Sequence, residues 1–299
     1  MQKMGANEKK KELLYSLLLL LASVIWGFTF IVQSSAMETI GPLSFNCVRW
    51  LIGSLAVLPV CAAAYRKDND KTKTEDTRKT RKYTLTGGFL CGLFLFAASN
   101  AQQIGLVETP PGKAGFITAL YIVIVPLFGL FSKKIPGIRI WLSVVLATAG
   151  LYLMCVTEQL TIEKSDIWVI ICAFCYALQI LAVDWFSKKT DPVKLAFLQF
   201  LVCGLLGVPV MLAFEHPTVK VFRESIVSIL YAGVFSSGVA FTLQVVAQKK
   251  VKPTVASLLM SMESVFSVLF SWLILHQVLS VREYAGVILM TIAIILAQV

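Results

Sequence analysis

Charged residues are scarce in this chain of 299 residues, since only 15% of its side chains are Asp, Glu, Lys or Arg. A soluble domain typically carries about 25% charged and about 45–50% apolar residues. Here 57% of the residues are apolar. The shortage of charge excludes an ordinary water-soluble protein of this size, because the excess apolar surface needs lipid to cover it.

Histidine is nearly absent, with His216 and His276 as its two copies. The sequence also shows no paired catalytic carboxylates and no nucleophile motif, so a membrane-embedded enzyme such as a transferase is disfavoured. Gly112-Lys113 lacks the glycine pattern that precedes the lysine of a phosphate-binding loop, so no ATP site is expected. We therefore predict no enzyme activity and no cofactor.

The seven cysteines are odd in number and all fall in apolar segments, which argues against a disulfide framework. Cys172 and Cys175 have the spacing of a redox or metal pair. They lie within a run long enough to cross a membrane, without a second pair or a histidine nearby. We interpret them as small packing residues and predict no metal site.

Long apolar runs, by contrast, are abundant. About 20 apolar residues cross the roughly 30 Å hydrocarbon core of a bilayer, and ten runs of this kind follow one another along the chain. The sequence thus predicts an all-α, polytopic membrane protein with ten transmembrane helices. Spans 1 to 10 are predicted over 13–32, 43–65, 83–103, 114–131, 140–156, 166–186, 193–214, 225–247, 254–275 and 284–299.

The net charge of +10 arises mainly between the apolar runs, which is typical of membrane topology rather than of nucleic-acid binding. With the N-terminus in the cytoplasm, 21 of the 27 Lys and Arg residues lie in inner segments and five in outer loops. This bias predicts a plasma (inner) membrane protein with both termini cytoplasmic. The basic segment 66–82 is predicted to be a solvated cytoplasmic linker, with an interaction tail as the alternative.

The second half of the sequence repeats the first. Pro42 and Pro59 of span 2 recur 150 residues later as Pro192 and Pro209 of span 7. Further matches follow in order: Trp26-Gly27 with Tyr176-Ala177, Gly92 and Gln103 with Gly233 and Gln244, Pro111 and Ala114 with Pro253 and Ala256, and Thr148 with Thr291. The pattern indicates a duplication.

This duplication predicts two five-helix repeats, over 13–156 and 166–299. Since five is odd, the second copy enters the membrane from the opposite side, and the repeats are inverted. Secondary transporters often use such inverted symmetry to alternate access about a midplane site.

Several short motifs are similar to those of one transporter family. The run from Trp26 to Phe30 resembles the first-span signature of the drug/metabolite transporter superfamily, in its EamA type. Arg49-Trp50, the segment from Ala114 to Leu127 and the segment from Ala256 to Phe266 resemble other motifs of that family. The resemblance implies a central cavity lined mainly by spans 1, 3, 4, 6, 8 and 9. It also implies export or exchange of solutes that range from amino acids and other metabolites to drug-like cations.

Glu263 is the first candidate for a substrate-binding residue. It lies nine residues into span 9, which at 1.5 Å per residue is roughly 13 Å deep and close to the midplane. An ionisable group at that depth needs an explanation. It could bind a cationic substrate or take up a coupling proton, and the alternative is a structural glutamate that fixes helix packing. Trp26, deep in span 1, could stack on a substrate or a cation, or could simply pack.

Uncharged polar residues inside the spans form a second group of candidates. Their amide and hydroxyl groups could orient a solute by hydrogen bonds, or could equally join helices to one another. The substrate-binding candidates in this group are Asn100, Tyr121, Gln179, Gln244 and Ser261. Gln102 and Gln103 are expected at the outer mouth.

Arg49 lies seven residues into span 2. It could bind an anionic substrate. The implied architecture places span 2 at the periphery, so a structural or gating charge is the favoured interpretation. Asp184 and Lys188 are four residues apart in span 6, which predicts a salt bridge along one helix.

The sequence as a whole favours a secondary transporter, an exporter or exchanger of small organic metabolites such as amino acids or drug-like cations, working by alternating access. A membrane channel or pore is the alternative, although no ring of like charges within a span suggests a selectivity filter. The expected partners are a small-molecule substrate, the lipid bilayer and a possible coupling proton, and no nucleic acid.

Overall fold

The computed structural model describes residues 6–69, 75–109, 111–131, 136–156, 162–275 and 279–298. Over these ranges the chain is helical with short connections, and no strand occurs. Ten helical segments are long and apolar enough to cross a membrane, and each overlaps one predicted span. The predicted all-α architecture with ten transmembrane helices is confirmed.

The helices are α1 Ala6–Ala36, α2 Pro42–Asn69, α3 Glu75–Gly105, α4 Pro111–Ala119, α5 Tyr121–Phe131, α6 Ile138–Cys155, α7 Lys164–Ser187, α8 Pro192–Phe214, α9 Val219–Glu224, α10 Ile226–Tyr231, α11 Phe241–Gln248, α12 Pro253–Met260, α13 Met262–Leu275 and α14 Val281–Gln298. A π-helix, Ala232–Ala240, joins α10 to α11.

The segment 66–82, predicted as a solvated linker, has regular secondary structure at both of its ends. Helix α2 continues to Asn69 and α3 already begins at Glu75, so both ends of the segment are helical. Residues 70–74 lie outside the described residues. The physical reason is that Lys, Arg and Glu are good helix formers, so the two helices extend beyond the apolar spans that hydropathy detects.

Three of the ten spans are interrupted. Span 4 consists of α4 and α5 with a turn at Leu120, and span 9 consists of α12 and α13 with a turn at Ser261. Pro126 cannot donate to the carbonyl of Ile122, which weakens span 4 just after its turn. The Ser261 hydroxyl donates to the carbonyl of Leu258 at 2.8 Å, which competes with regular helical hydrogen bonding.

The π-helix is the third interruption and lies within span 8. Helical turns of this kind are rare and often occur at functional sites. Gly53 of α2 packs closely here, because an added Cβ would lie 2.7 Å from Cβ of Ser237. Span 8 thus combines an irregular backbone with a close helix contact.

Packing between spans follows a paired pattern. Two extensive contacts join a span to its counterpart in the other half: α2 packs against α8 (spans 2 and 7), and α6 packs against α14 (spans 5 and 10). Each other large contact between spans has an equivalent when the two halves are interchanged. The contact of span 3 with span 6 corresponds to that of span 8 with span 1, and the contact of span 3 with span 7 corresponds to that of span 8 with span 2. The contact of span 1 with span 9 corresponds to that of span 6 with span 4. The two halves therefore pack face to face in an arrangement that is nearly the same seen from either half.

Candidate functional site

A cavity lies where the two halves meet. Seven spans contribute to its wall: 1, 2, 3, 4, 6, 8 and 9. Its lining residues are Trp26, Phe30, Gln33, Arg49, Gln102, Thr118, Tyr121, Tyr176, Ile180, Ser236, Phe241, Gln244, Met260 and Glu263.

Glu263 and Tyr121 lie beside the two interruptions of spans 4 and 9. Tyr121 is the first residue of α5, and Glu263 is in the first turn of α13. The Tyr121 hydroxyl donates to Oε1 of Glu263 at 3.4 Å. A carboxylate is stabilised near a helix N-terminus by the free backbone N–H groups and the helix dipole. The turn at Ser261 places Glu263 at such a terminus, and the Tyr121 hydroxyl is its hydrogen-bond partner among the described residues.

Trp26 forms part of an aromatic wall. Its indole N–H donates to the carbonyl of Ser236 in the π-helix at 3.4 Å. The ring packs edge-on against Phe241 at 4.7 Å between centroids, and Phe241 in turn packs against Trp50 at 4.9 Å. These contacts fix the orientation of the indole, so that it presents a rigid aromatic surface to the cavity.

Gln244 reaches the cavity at one end of a chain of buried amides. Its amide nitrogen donates to Oε1 of Gln179 and to Oε1 of Gln248, each at 3.1 Å. Gln179 donates to Oε1 of Gln199 at 3.2 Å. Gln179 therefore supports the wall from behind and does not line it. The carbonyl oxygen of Gln244 is buried and has no hydrogen-bond partner among the described residues.

Asn100 and Ser261 also lie away from the cavity lining. Asn100 donates to the carbonyl of Phe96 at 2.8 Å and accepts from Asn46 at 3.4 Å, so it joins α3 to α2. Ser261 is fully buried at the turn between α12 and α13. Of the seven predicted substrate-binding residues, the structure thus brings Glu263, Trp26, Tyr121 and Gln244 together and places the other three behind the wall.

Arg49 lines the cavity, whereas the sequence placed span 2 at the periphery. The side chain is 2% exposed, and its guanidinium lies 5.7 Å from the ring centre of Phe45 and 5.0 Å from that of Trp50. Among the described residues it forms no ion pair, and its Nε has no hydrogen-bond partner. The close packing of α2 against α8 and the π-helix turns this face of span 2 inward.

Gln102, Tyr176 and Thr118 are lining residues that sequence reasoning did not select. The Tyr176 hydroxyl donates to Oε1 of Gln102, and Nε2 of Gln102 donates to Oγ1 of Thr118, both at 3.4 Å. This network ties spans 3, 4 and 6 together across the cavity. A signal for Tyr176 was present in the repeat, because it is the counterpart of Trp26.

The cavity wall is built largely from corresponding positions of the two repeats. Trp26 and Phe30 correspond to Tyr176 and Ile180 at the spacing of 150 residues, and all four line the cavity. At the spacing of 142 residues shared by Pro111 and Pro253, two further lining pairs match: Thr118 with Met260, and Tyr121 with Glu263. The hydrogen bond between Tyr121 and Glu263 thus joins equivalent residues across the centre of the molecule.

Two ion pairs that include a buried carboxylate lie outside the cavity lining. The predicted pair of Asp184 with Lys188 is confirmed, with Nζ and Oδ1 2.5 Å apart. The second pair was not foreseen. Lys113, in α4, is 2.5 Å from Oδ2 of the buried Asp166 in α7, and Thr109 donates to the same carboxylate at 3.1 Å. This pair joins the first half of the chain to the second at one end of the bundle.

The chain is similar to known transporters along its whole length. The sequence model of the EamA-like transporter family matches residues 13–156 and again residues 163–298. An uncharacterized transporter of Archaeoglobus fulgidus is 30% identical over 295 residues, which cover 98% of this chain and 89% of that relative. The uncharacterized transporter YoaV of Bacillus subtilis is 20% identical over 275 residues, covering 89% of this chain and 90% of its own.

The fold is also found in a solved crystal structure. That structure superimposes with a TM-score of 0.74 at 17% identity and covers 95% of this chain and 96% of its own. The likeness supports the ten-helix fold, while the family match covers both halves of the sequence. The chain therefore belongs to the EamA-like transporter family and is a multi-pass membrane transporter.

Proposed function

We propose that the protein is a secondary transporter that exports or exchanges small organic metabolites by alternating access. The observation that carries the proposal is the composition of the cavity wall. Four pairs of corresponding positions line it, and one of these pairs, Tyr121 and Glu263, is in direct contact. When equivalent positions of two repeats surround one site, the two halves can exchange conformations about that site, as alternating access requires.

The inverted relation of the halves is part of this proposal. Five spans per repeat is an odd number, and the bias of Lys and Arg holds only if the second repeat enters from the opposite side. The exchange of contacts between the halves supports the same relation. We propose two repeats, over 13–156 and 166–299, in the plasma membrane with both termini in the cytoplasm.

This orientation fixes where the cavity lies. Gln33 and Gln102 are close to the predicted outer ends of spans 1 and 3, whereas Ile180 and Gln244 are in the inner halves of spans 6 and 8. The cavity thus reaches from the inner half of the membrane toward the outer face. The interruptions at Leu120 and Ser261 and the π-helix provide sites where backbone dihedrals can change during the cycle.

The wall suits a solute with a cationic group. Glu263 supplies a carboxyl group, and Trp26 supplies an aromatic face. Both attract an ammonium group. Amino acids and drug-like cations both carry such a group, and we propose that the substrate belongs to these classes.

Uptake into proteoliposomes tests this function. Purified protein is reconstituted and assayed with a mixture of radiolabelled amino acids and, separately, with ethidium, with and without a pH gradient. We expect saturable uptake that Glu263→Gln lowers at least about tenfold, because a charge-assisted contact of roughly 1.5–3 kcal/mol is lost. Glu224→Gln, on the exposed helix α9, is the matched control and should leave uptake unchanged.

The results separate the mechanisms as follows. Uptake driven by the pH gradient and lost in Glu263→Gln supports a coupling proton at Glu263, whereas uptake independent of the gradient supports facilitated exchange. Uptake of both probe classes that rises linearly with concentration, without saturation, would contradict a carrier and favour a channel.

A further inference from the structure

We propose that the cavity binds a zwitterion in one orientation, with Arg49 holding its anionic group and Glu263 holding its cationic group. This inference rests on the proposed transport function and specifies the substrate class of the same cavity. It adds an anion subsite to the cation subsite described above, and it predicts that solutes with only one of the two charges bind poorly.

The first observation is the state of the Arg49 guanidinium. It is 98% buried, lines the cavity and forms no ion pair with any described residue. Its Nε has no hydrogen-bond partner, and its described interactions are with the rings of Phe45 and Trp50 and with the hydroxyl of Tyr176. A buried charge left without a counter-charge is expensive. A carboxylate of the solute is the partner that would complete the site, since guanidinium groups bind carboxylates with two parallel hydrogen bonds.

The second observation is that Arg49 and Glu263 share one cavity without neutralising each other. Glu263 has Tyr121 as its described hydrogen-bond partner and forms no ion pair among the described residues. Tyr176 lines the same cavity and is hydrogen-bonded to the Arg49 side chain. Opposite charges held apart across a cavity match a solute that carries both.

The orientation follows from the repeat. The counterpart of Arg49 is Gln199, which is uncharged, and the counterpart of Glu263 is Tyr121. Each half thus provides only one of the two charges, so the electrostatic field of the cavity has a direction. A zwitterion can satisfy both charges in one orientation and would oppose both in the reverse orientation.

The remaining lining residues indicate the chemistry of the uncharged part of the solute. Phe30, Phe241, Met260 and Ile180 contribute apolar surface to the cavity. A small zwitterion with an apolar side chain, such as an α-amino acid, fits this combination. A phosphorylated solute does not, because Arg49 is the single cationic side chain among the described lining residues.

A charge-matched ligand series tests the inference. Leucine, methionine and phenylalanine are compared with their amides, which keep only the positive charge, and with their N-acetyl derivatives, which keep only the negative charge. Binding is measured as thermal stabilisation of the purified protein, and transport as uptake into proteoliposomes. For at least one amino acid we expect the wild type to bind the zwitterion at least about tenfold more tightly than either derivative.

Two variants test which charge of the solute each residue binds. Arg49→Gln should lose the preference for the amino acid over its amide, and Glu263→Gln should lose the preference over the N-acetyl derivative. Arg223→Gln, on the exposed helix α9, is the matched control for a lost positive charge and should behave as the wild type. If Arg49→Gln does not fold, Arg49→Lys serves instead, with a weaker affinity but a retained preference over the amide.

The outcomes are distinguishable. Wild-type protein that binds the amide as tightly as the amino acid, with Arg49→Gln or Arg49→Lys unaltered in binding, would show that Arg49 is structural and would overturn the inference while transport stands. Saturable uptake of ethidium with no binding of any amino acid would overturn it too. Absence of saturable uptake for every probe would instead refute the proposed function itself.

Discussion

The hydrogen bond between Tyr121 and Glu263 shows how single residues are used in this cavity. The two residues occupy corresponding positions in the repeats, yet one is a phenol and the other a carboxyl group. Each lies at the start of a half-helix, α5 and α13. The duplication thus supplied two equivalent positions, and the differences between them give the cavity its chemical polarity.

At this scale we predict that Tyr121→Phe weakens substrate binding by about three- to tenfold, because one hydrogen bond of roughly 1 kcal/mol to Glu263 is lost. The ring is kept, so folding should be preserved. Affinity from titration calorimetry or thermal stabilisation measures the effect, with Tyr284→Phe on an exposed face as the matched control. An affinity equal to that of the wild type would show that the contact with Glu263 has no role in binding.

The candidate residues also show the limit of sequence reasoning. The depth of Glu263 or Trp26 along a helix follows from counting residues, and both do line the cavity. The direction in which a side chain points depends on how the helices pack. For that reason Gln179 and Asn100 lie behind the wall, and Arg49 faces inward from a span that was expected at the periphery.

At the scale of elements, the contact of α1 with α13 determines where the cavity wall lies. Gly27, next to Trp26, allows this contact, because an added Cβ would lie 2.5 Å from Cβ of Phe266 and 2.9 Å from the carbonyl of Glu263. Small residues at membrane helix contacts let two backbones approach in this way. The Trp-Gly pair thus combines a lining aromatic with the close approach that brings Glu263 beside it.

We predict that Gly27→Ala lowers stability by about 1–3 kcal/mol and lowers transport as well, since α1 must move away from α13. The melting temperature in detergent and the rate of uptake measure the two effects. Gly115→Ala is the matched control, because nothing lies within 4 Å of an added Cβ there. Equal melting temperatures for the two variants would mean that α1 and α13 are not in such close contact.

Hydropathy found all ten spans but could not find the interruptions within three of them. A run of apolar residues looks the same whether its backbone is continuous or broken. The turn at Ser261 coincides with a hydrogen bond from its hydroxyl to the carbonyl of Leu258, and the π-helix Ala232–Ala240 has no distinctive composition. These irregular segments border the cavity. The number and positions of the spans could therefore be predicted from the sequence, whereas the backbone around the cavity could not.

At the scale of the whole molecule, the orientation in the membrane rests on the distribution of Lys and Arg. It places helix α9 outside and the connection after α11 inside. We predict that a membrane-impermeant maleimide applied to intact cells labels Glu224→Cys and does not label Lys250→Cys, because both positions are exposed but on opposite sides. The unmodified protein, whose seven cysteines are buried or half-buried, gives the background. The reverse labelling pattern would invert the proposed topology.

The paired contacts between the halves connect architecture to mechanism. Spans 2 with 7 and spans 5 with 10 pack against their own counterparts, while the remaining large contacts exchange between the halves. In the proposed mechanism, a molecule packed in this way reaches a second state, similar in energy, in which the halves have exchanged conformations. The cavity between them would then face the other side of the membrane.

Counterflow is the measurement that tests this account most directly. Proteoliposomes are loaded with a high concentration of an unlabelled substrate amino acid and diluted into a trace of the same compound in radiolabelled form. An alternating carrier with a single central cavity should accumulate the label transiently above its equilibrium level, and Glu263→Gln should abolish the overshoot. Label that rises monotonically to equilibrium in wild-type proteoliposomes, without an overshoot, would contradict alternating access.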